Sequence, residues 1–385
     1  MKKKILFVPS WYPSEKDPIS GIFIQEQAIA LATKYDVAVL VPGMAAWRDV
    51  FSAKDRCFAA NEAGLRVYRE FARPLIPHGP ESVSHGTFVR AVESGFKKLV
   101  REWGKPDVIH THVVLDAGWA ALRLGQRHDI PVVLTEHSSP FSMHLESKLS
   151  ERLARETLTK VNKLIAISPA LAKELLDFQP GLHIDIIGES VRTDFFVPAN
   201  DIHQEKRVGK RFFVAARLAQ QKGLDTLIEA VHLLRQNGLN SFELVIGGDG
   251  PDRQKLEQLV KTLDVTDYCR FLGALSRDQV RERMQNCDVF VLSSLHESFG
   301  VVLGEAMACG KPVISTRCGG PEFVVNEETG VLVEVAKPQA VADAMADFIN
   351  DRISFNPQAV RNSVVNRFSP EAFVRNVSAV YEQVW

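Results

Sequence analysis

The sequence predicts a two-domain α/β protein in which each domain is a doubly wound, largely parallel sheet. Three observations carry this expectation. The chain has 385 residues, too many for one hydrophobic core and suited to two domains of ordinary size. Short apolar runs alternate with helical patterns almost from end to end, the grammar of strand–helix–strand units. The runs are nearly uniform in hydrophobicity, as strands are when helices cover both faces of a parallel sheet.

Taken in order, residues 4–8 read as a strand. Residues 22–34 read as a helix, with Ile24, Ala28 and Leu31 on one stripe. Residues 37–41 are the next strand. Residues 88–103 repeat Phe88, Val92, Phe96, Leu99 and Trp103 at helical spacing. Further strands are expected at 107–110, 132–135 and 164–167, with helices between them. The second half repeats the pattern with strands at 212–216, 242–246, 289–292 and 313–315, and helices at 224–235, 253–263 and 299–309. A final helix starts after Ser369 with Pro370 at its first position. The polar stretch 197–210 is the expected linker. The domains are then 1–196, with 370–385 crossing back onto it, and 197–369.

Hydrophobic residues make up 45% of the chain and charged residues 24%, with 46 Lys plus Arg against 47 Asp plus Glu. A soluble enzyme fits this composition, and a nucleic-acid partner does not. Cys57, Cys269, Cys287, Cys309 and Cys318 are scattered without a C-x-x-C pair. They read as reduced thiols in a cytoplasmic protein. Residues 5–8 behind the opening lysines are too short for a signal-peptide core, and no stretch reaches membrane-span length.

The chemistry concentrates at two strand ends. After the strand at 289–292 come Glu297, then Gly300 and Val301 at the start of an apolar helix that carries Glu305. The carboxyl ends of parallel strands are where ligands bind in open α/β sheets. The first amides of a helix have no intrahelical partner and form an anion site. A carboxylate within an apolar helix needs a hydrogen-bond donor, and a ligand's hydroxyls would supply it to Glu305. After the strand at 212–216, Arg217 and Lys222 place two cations beside another helix start, a combination suited to a diphosphate. Gly247-Gly248-Asp249-Gly250 is not a G-x-G-x-x-G fingerprint, so no nicotinamide site is expected there.

Arg217-Leu218-x3-Lys222-Gly223, Gly248-Asp249-Gly250-Pro251 and Glu297-x7-Glu305, followed by Ala306-Met307-Ala308-x-Gly310-x-Pro312-Val313, resemble the signature set of glycosyltransferase family 4. The amino-terminal half is similar more loosely, through Gly21 and through His137 in Thr135-Glu136-His137. The resemblance implies the GT-B fold, two Rossmann-like domains facing across a cleft, and a retaining transfer from a UDP- or GDP-sugar to a glycan or lipid-linked acceptor. It implies that Arg217 and Lys222 bind the donor diphosphate, that Glu305 takes the ribose hydroxyls and that Glu297 contacts the transferred sugar. Residues 271–273, with Leu272 at their centre, would border the base. Gly21 would let backbone approach the phosphates, and His137 would stand at the reacting centre. Polysaccharide assembly at the inner face of a membrane is the setting by analogy. No D-x-D pair occurs, which agrees with a reaction that uses no metal or other cofactor, the cations of Arg217 and Lys222 holding the diphosphate.

Three further readings accompany this one. His110 and His112 read as structural residues on opposite faces of a strand end. Trp47, Val50, Phe51 and Phe58 among Arg48, Lys54 and Arg56 form a lid, or a weak peripheral membrane contact. Where the family has Pro-Asn-Gly-Val-Asp, this chain has Gly188-Glu189-Ser190-Val191-Arg192. That departure leaves room for a non-catalytic nucleotide-sugar-binding protein, and a nucleotide-sugar epimerase on the same scaffold is the other alternative.

Overall fold

A computed structural model describes residues 2–15, 17–44, 57–72, 81–138, 140–199 and 209–385. The aromatic and basic segment around Trp47–Arg56 and most of the expected linker lie outside the described residues. The chain divides into two compact units, Met1–Ser190 with Pro370–Trp385, and Val191–Ser369.

The first unit contains β1 (Lys4–Pro9), α1 (Ile22–Ala32), β2 (Asp36–Met44), β3 (Cys57–Glu62), β4 (Leu65–Ala72), α2 (Glu81–Trp103), β5 (Val108–His112), α3 (Ala117–His128), β6 (Val132–Glu136), α4 (Lys148–Lys160), β7 (Lys163–Ala166), α5 (Pro169–Phe178) and β8 (Ile184–Ile186). Its sheet runs in the order β3-β4-β2-β1-β5-β6-β7-β8. All pairs are parallel except β3 against β4. The two-residue period of a strand sends alternate side chains to opposite faces. Ile5 and Phe7 accordingly enter one core with Ile24 and Leu31 of α1, while Leu6 and Val8 enter another with Val92, Phe96 and Leu99 of α2. Each such buried aliphatic or aromatic side chain contributes ~1.5–3 kcal/mol.

The second unit contains β9 (Lys210–Ala215), α6 (Leu224–Gln236), β10 (Phe242–Gly247), α7 (Arg253–Thr262), β11 (Cys269–Gly273), α8 (Arg277–Asn286), β12 (Val289–Leu292), α9 (Val301–Ala308), β13 (Val313–Thr316), α10 (Pro321–Val324), β14 (Gly330–Val333), α11 (Pro338–Ile349) and α12 (Pro357–Phe368). Its six strands run β11-β10-β9-β12-β13-β14, all parallel. One face is closed by α6 and α11, whose Leu227, Val231, Val341 and Met345 pack on Phe212, Val214 and Leu244. The chain then returns to the first unit as α13 (Pro370–Tyr381), where Phe373, Val377 and Tyr381 join the α1 side of the core.

Several expectations shift. The unit boundary falls after Ser190, not after residue 196. Val191 N–H donates to Phe368 O at 2.7 Å, and the Arg361 guanidinium donates to Thr193 O and Phe196 O at 3.0 Å each, so residues 191–196 belong with the second unit. Helix α2 starts at Glu81, seven residues before the apolar stripe. Its first turns are stabilised by polar contacts, Thr87 Oγ1 to Val83 O at 2.7 Å and His85 with Asp116 at 2.9 Å. The β3–β4 hairpin was not anticipated, because its turn places Ala63 at φ +51 before Gly64, a conformation alanine rarely signals.

Both sheets have a strand from which the chain winds in two directions. In the first it is β1, between β2 and β5; in the second it is β9, between β10 and β12. The crevice at the carboxyl end of such a pair is the position where doubly wound folds take ligands.

Candidate functional site

In the second unit the loops after β9 and β12 are stitched together. Ser293 Oγ donates to Lys222 O at 3.0 Å, and Leu295 N–H donates to Gln221 O at 2.8 Å. Gly223 makes this approach possible: its φ is +57, and a Cβ there would lie 2.2 Å from Ser293 O. The stitching brings Lys222 to Glu297 across 75 residues of sequence. Lys222 Nζ donates to Glu297 Oε1 at 2.6 Å, and Ser294 Oγ donates to the same oxygen at 2.8 Å. The Glu297 backbone is held in turn, with Gly320 N–H donating to its carbonyl at 2.7 Å. Lys222 and Glu297 are largely buried, so their attraction is less screened than that of a surface pair, and each depends on the other for compensation of its charge. Arg217, on the same edge, is exposed and has no side-chain partner among the described residues.

The loop after β10 braces Arg217. Gly248 sits at φ +127 with its N–H on Gly273 O at 2.7 Å, and a Cβ on it would lie 1.8 Å from Ala216 O. Leu218 N–H then donates to Asp249 O at 3.0 Å, and Asp252 N–H donates to Leu218 O at 2.9 Å. Leu272 is half-buried at the end of β11.

Gly300, at φ +85, turns the chain into α9, so that the first amides of the helix, with Val301, follow the Glu297 loop. Glu305 lies further along α9 and is less enclosed than its apolar surroundings imply; its side chain is 15% exposed. The sequence reading left its donor to a ligand. The structure supplies one from the protein, Arg277 Nη2 at 3.2 Å. Arg277 itself stands over the rings of Phe195 and Phe196, and no motif pointed to it.

In the first unit, Gly21 caps α1 at φ +69, and a Cβ would lie 2.4 Å from Trp11 O. The loop after β1 therefore packs backbone to backbone at this glycine. His137 follows β6 and is buried, its side chain 1% exposed. Its Nδ1 lies 2.6 Å from Glu189 Oε1, and its Nε2 lies 2.9 Å from His112 Nδ1. Gln27 Nε2 donates to the other Glu189 oxygen at 2.5 Å. Both ring nitrogens of His137 are thus engaged within the protein. The neighbouring Glu136 is also satisfied, by the N–H groups of Val114, His137 and Ser138.

His110 and His112 correct an expectation. Residues two apart on a strand share a face, and the two rings stack with centroids 4.5 Å apart. His110 is fully bonded, to Tyr381 Oη at 2.6 Å and Thr135 Oγ1 at 2.8 Å. Burial, and then the neighbouring His137, push its imidazolium down to about 3. Burial pushes His112 well below the ordinary range too, followed by the charges of His110 and His137. His112 Nε2 is buried with no hydrogen-bond partner. Glu189, the departure noted in the sequence, is the carboxylate of this cluster, whereas Arg192 lies outside it and pairs with Asp194 at 2.8 and 2.9 Å. Among the described residues no group of three or more His, Cys, Asp and Glu side chains is arranged to hold a metal ion, and no helix is long and apolar enough to cross a membrane.

Two Rossmann-like units with their polar side chains at the carboxyl edges of parallel strands match the GT-B glycosyltransferases. Sucrose-phosphate synthase from Thermosynechococcus elongatus superimposes with a TM-score of 0.76 at 22% identity, covering 99% of each chain. Anabaena HepE in complex with UDP does so at 0.74 and 19%, covering 99% of this chain and 100% of the other. In sequence, residues 199–363 match the family described as glycosyl transferases group 1, and residues 21–184 the glycosyl transferase 4-like domain. A protein of Bacillus subtilis strain 168 named as a teichuronic acid biosynthesis glycosyltransferase, TuaC, is 28% identical over 367 residues, 91% of this chain and 90% of its own length. The chain belongs to the group 1, family 4-like glycosyltransferases.

Proposed function

We propose that the second unit holds a UDP- or GDP-linked sugar and that the enzyme transfers this sugar, with retention and without a metal ion, to a hydroxyl of a glycan or lipid-linked saccharide. One observation carries the reading: Arg217, Lys222 and Glu297 converge at the carboxyl edge of β9 and β12, where the sheet changes winding direction. Arg217 is open to an incoming anion, and the first amides of α9 at Gly300 and Val301 add a second attraction for phosphate. Lys222, on Glu297 before substrate arrives, turns to the diphosphate and neutralises the charge that develops as it leaves. Glu297 is then free to accept from a hydroxyl of the transferred sugar. Glu305 exchanges Arg277 for the ribose hydroxyls, and Leu272 borders the base. In the first unit, Gly21 shapes the loop over the β1 edge and His137 anchors the polar cluster beside it. Two cations and helix amides do the work that a metal does elsewhere, and with no second carboxylate placed as a nucleophile among the described residues the acceptor attacks on the face the phosphate leaves.

The similarity to a protein named for teichuronic acid biosynthesis supports a surface-polysaccharide acceptor, and the bound UDP of HepE supports a nucleotide-linked donor. A thermal-shift series with UDP, GDP and their sugars tests the donor: a ligand at a hundred times its dissociation constant adds ~2.7 kcal/mol of stability. Lys222→Ala and Glu297→Ala are each expected to abolish transfer while leaving the protein folded. Wild-type turnover in the double variant overturns the assignment.

A further inference from the structure

The buried chain Gln27–Glu189–His137–His112 in the first unit is more than packing requires. It starts on α1, passes through Glu189 one residue before the end of the unit's first segment, and ends at the last residue of β5, at the carboxyl edge of the β1–β5 pair. Each link constrains the next. A carboxylate only accepts hydrogen bonds, so His137 presents Nδ1–H to Glu189. In the neutral ring of His137, Nε2 has only a lone pair and accepts from His112 Nδ1–H, whereas an imidazolium paired with Glu189 would donate from Nε2 and reverse the relay. His112 in turn carries no proton at Nε2, and that lone pair is left without a partner in the protein, as is the amide oxygen of Gln27 at the other end of the chain.

We infer that Glu189, acting through His137, is a positioning residue that fixes His112 with an unprotonated Nε2 facing the substrate edge, and that this nitrogen accepts a hydrogen bond from a sugar or polyol hydroxyl. The inference rests on the sugar-transfer reading above, because it assigns the His112 end of the chain, an acceptor at a strand's carboxyl edge, to a hydroxyl-bearing substrate. Its role is orientation: the hydroxyl keeps its proton, and no group is transferred to the ring. The ionisable groups facing His112 are His110, stacked on it, and His137, bonded to it. Beyond these lie Glu189 on the far side of His137, Glu136, whose oxygens hold the amides of Val114 and His137, and Tyr381 on His110.

The experiment is two-bond 1H–15N spectroscopy of the histidine-labelled full-length protein at neutral pH. In the wild type, His112 is expected as the Nδ1–H tautomer with an acceptor-type Nε2 signal. Glu189→Gln, whose amide oxygen still accepts from His137, keeps that tautomer; Glu189→Met, of similar length but without an acceptor, gives a mixture with protonated Nε2. Because a purely packing role for Glu189 leaves the tautomer unchanged in both variants, that result overturns the proposal. So does a protonated His112 Nε2 in the wild type, which stands even if a variant fails to fold. Addition of methyl glucoside, methyl mannoside, inositol or glycerol is expected to move the His112 Nε2 resonance more than that of His110. No movement with any of them means that a resident water satisfies the nitrogen and overturns the ligand assignment. UDP and GDP thermal shifts on the same samples separate the two readings. Their absence in the wild type refutes the proposed function, while an unchanged nucleotide shift beside an unmoved tautomer refutes only this inference.

Discussion

Lowering the pH from 7 to 5 is expected to destabilise the first unit through His110 and His112. In an unfolded chain a histidine takes up its proton near pH 6.5. In the folded unit His110 does so only at about 3, because burial disfavours the charged ring, and His112 is shifted in the same direction. The unfolded state therefore binds more protons between these limits, so stability falls as the pH drops below the unfolded value and levels off only near the folded one. Over the interval from pH 7 to 5 His110 alone costs about 2 kcal/mol, and His112 adds to the loss in the same direction. The unit carries its own probe: Trp11, Trp47, Trp103, Trp119 and Trp385 are all five tryptophans of the chain and all fall in its two segments. Urea unfolding followed by tryptophan fluorescence at the two pH values thus reads this unit alone. His110→Gln keeps a polar side chain and removes one titrating group, so the difference between the two pH values should shrink by about 2 kcal/mol. A variant whose pH dependence equals the wild type's, or a wild-type transition indifferent to pH, refutes the reasoning.

Other expectations follow from single sites. Gly248→Ala puts a methyl group on a backbone oxygen at a φ of +127 and should cost roughly 3 kcal/mol or more. Gly238→Ala, at φ +77 with open space around it, should cost only about 1–2 kcal/mol, and equal losses in chemical denaturation would contradict the close approach. Glu305→Gln should weaken UDP or GDP binding by roughly tenfold, the worth of one charged hydrogen bond, with little change in melting temperature; calorimetry checks both. Cys269 and Cys309, pushed up to about 12 by burial, and Cys318, pushed up to about 11, should resist a thiol reagent at pH 8 and react fully in denaturant.

The sequence made the fold legible wherever strands are buried on both faces, because uniform apolar runs such as 289–292 have few other uses. It made Lys222 and Glu297 legible as functional candidates, since both sit just past such runs, although their 2.6 Å pairing depends on a sheet order that no local pattern encodes. Arg277 stayed hidden for the same reason: a charged residue at the start of an amphipathic helix resembles any solvated cation until α9 is packed beside it. Gln27 was masked by its helix, whose stripe was read for its apolar members only. His110 and His112 were misplaced by an error of periodicity rather than by lack of signal, because a spacing of two already puts them on one face. Glu189 was noticed as an oddity, and its partner was 52 residues away. Helix α2 shows the converse limit. Its first turns are held by hydroxyl and imidazole contacts, and a search for apolar repeats passes over them.

The hydrogen bond from Val191 N–H to Phe368 O ties together the two ends of the second unit. A guest whose termini are clasped in this way can be lifted out of its host. A gene fragment for residues 191–369 carries every side chain assigned here to the nucleotide, and a short splice from Ser190 to Pro370 restores a continuous host that keeps the Tyr381–His110 contact. Donor recognition and the histidine cluster can thereby be studied on separate polypeptides, each free of the other's signal.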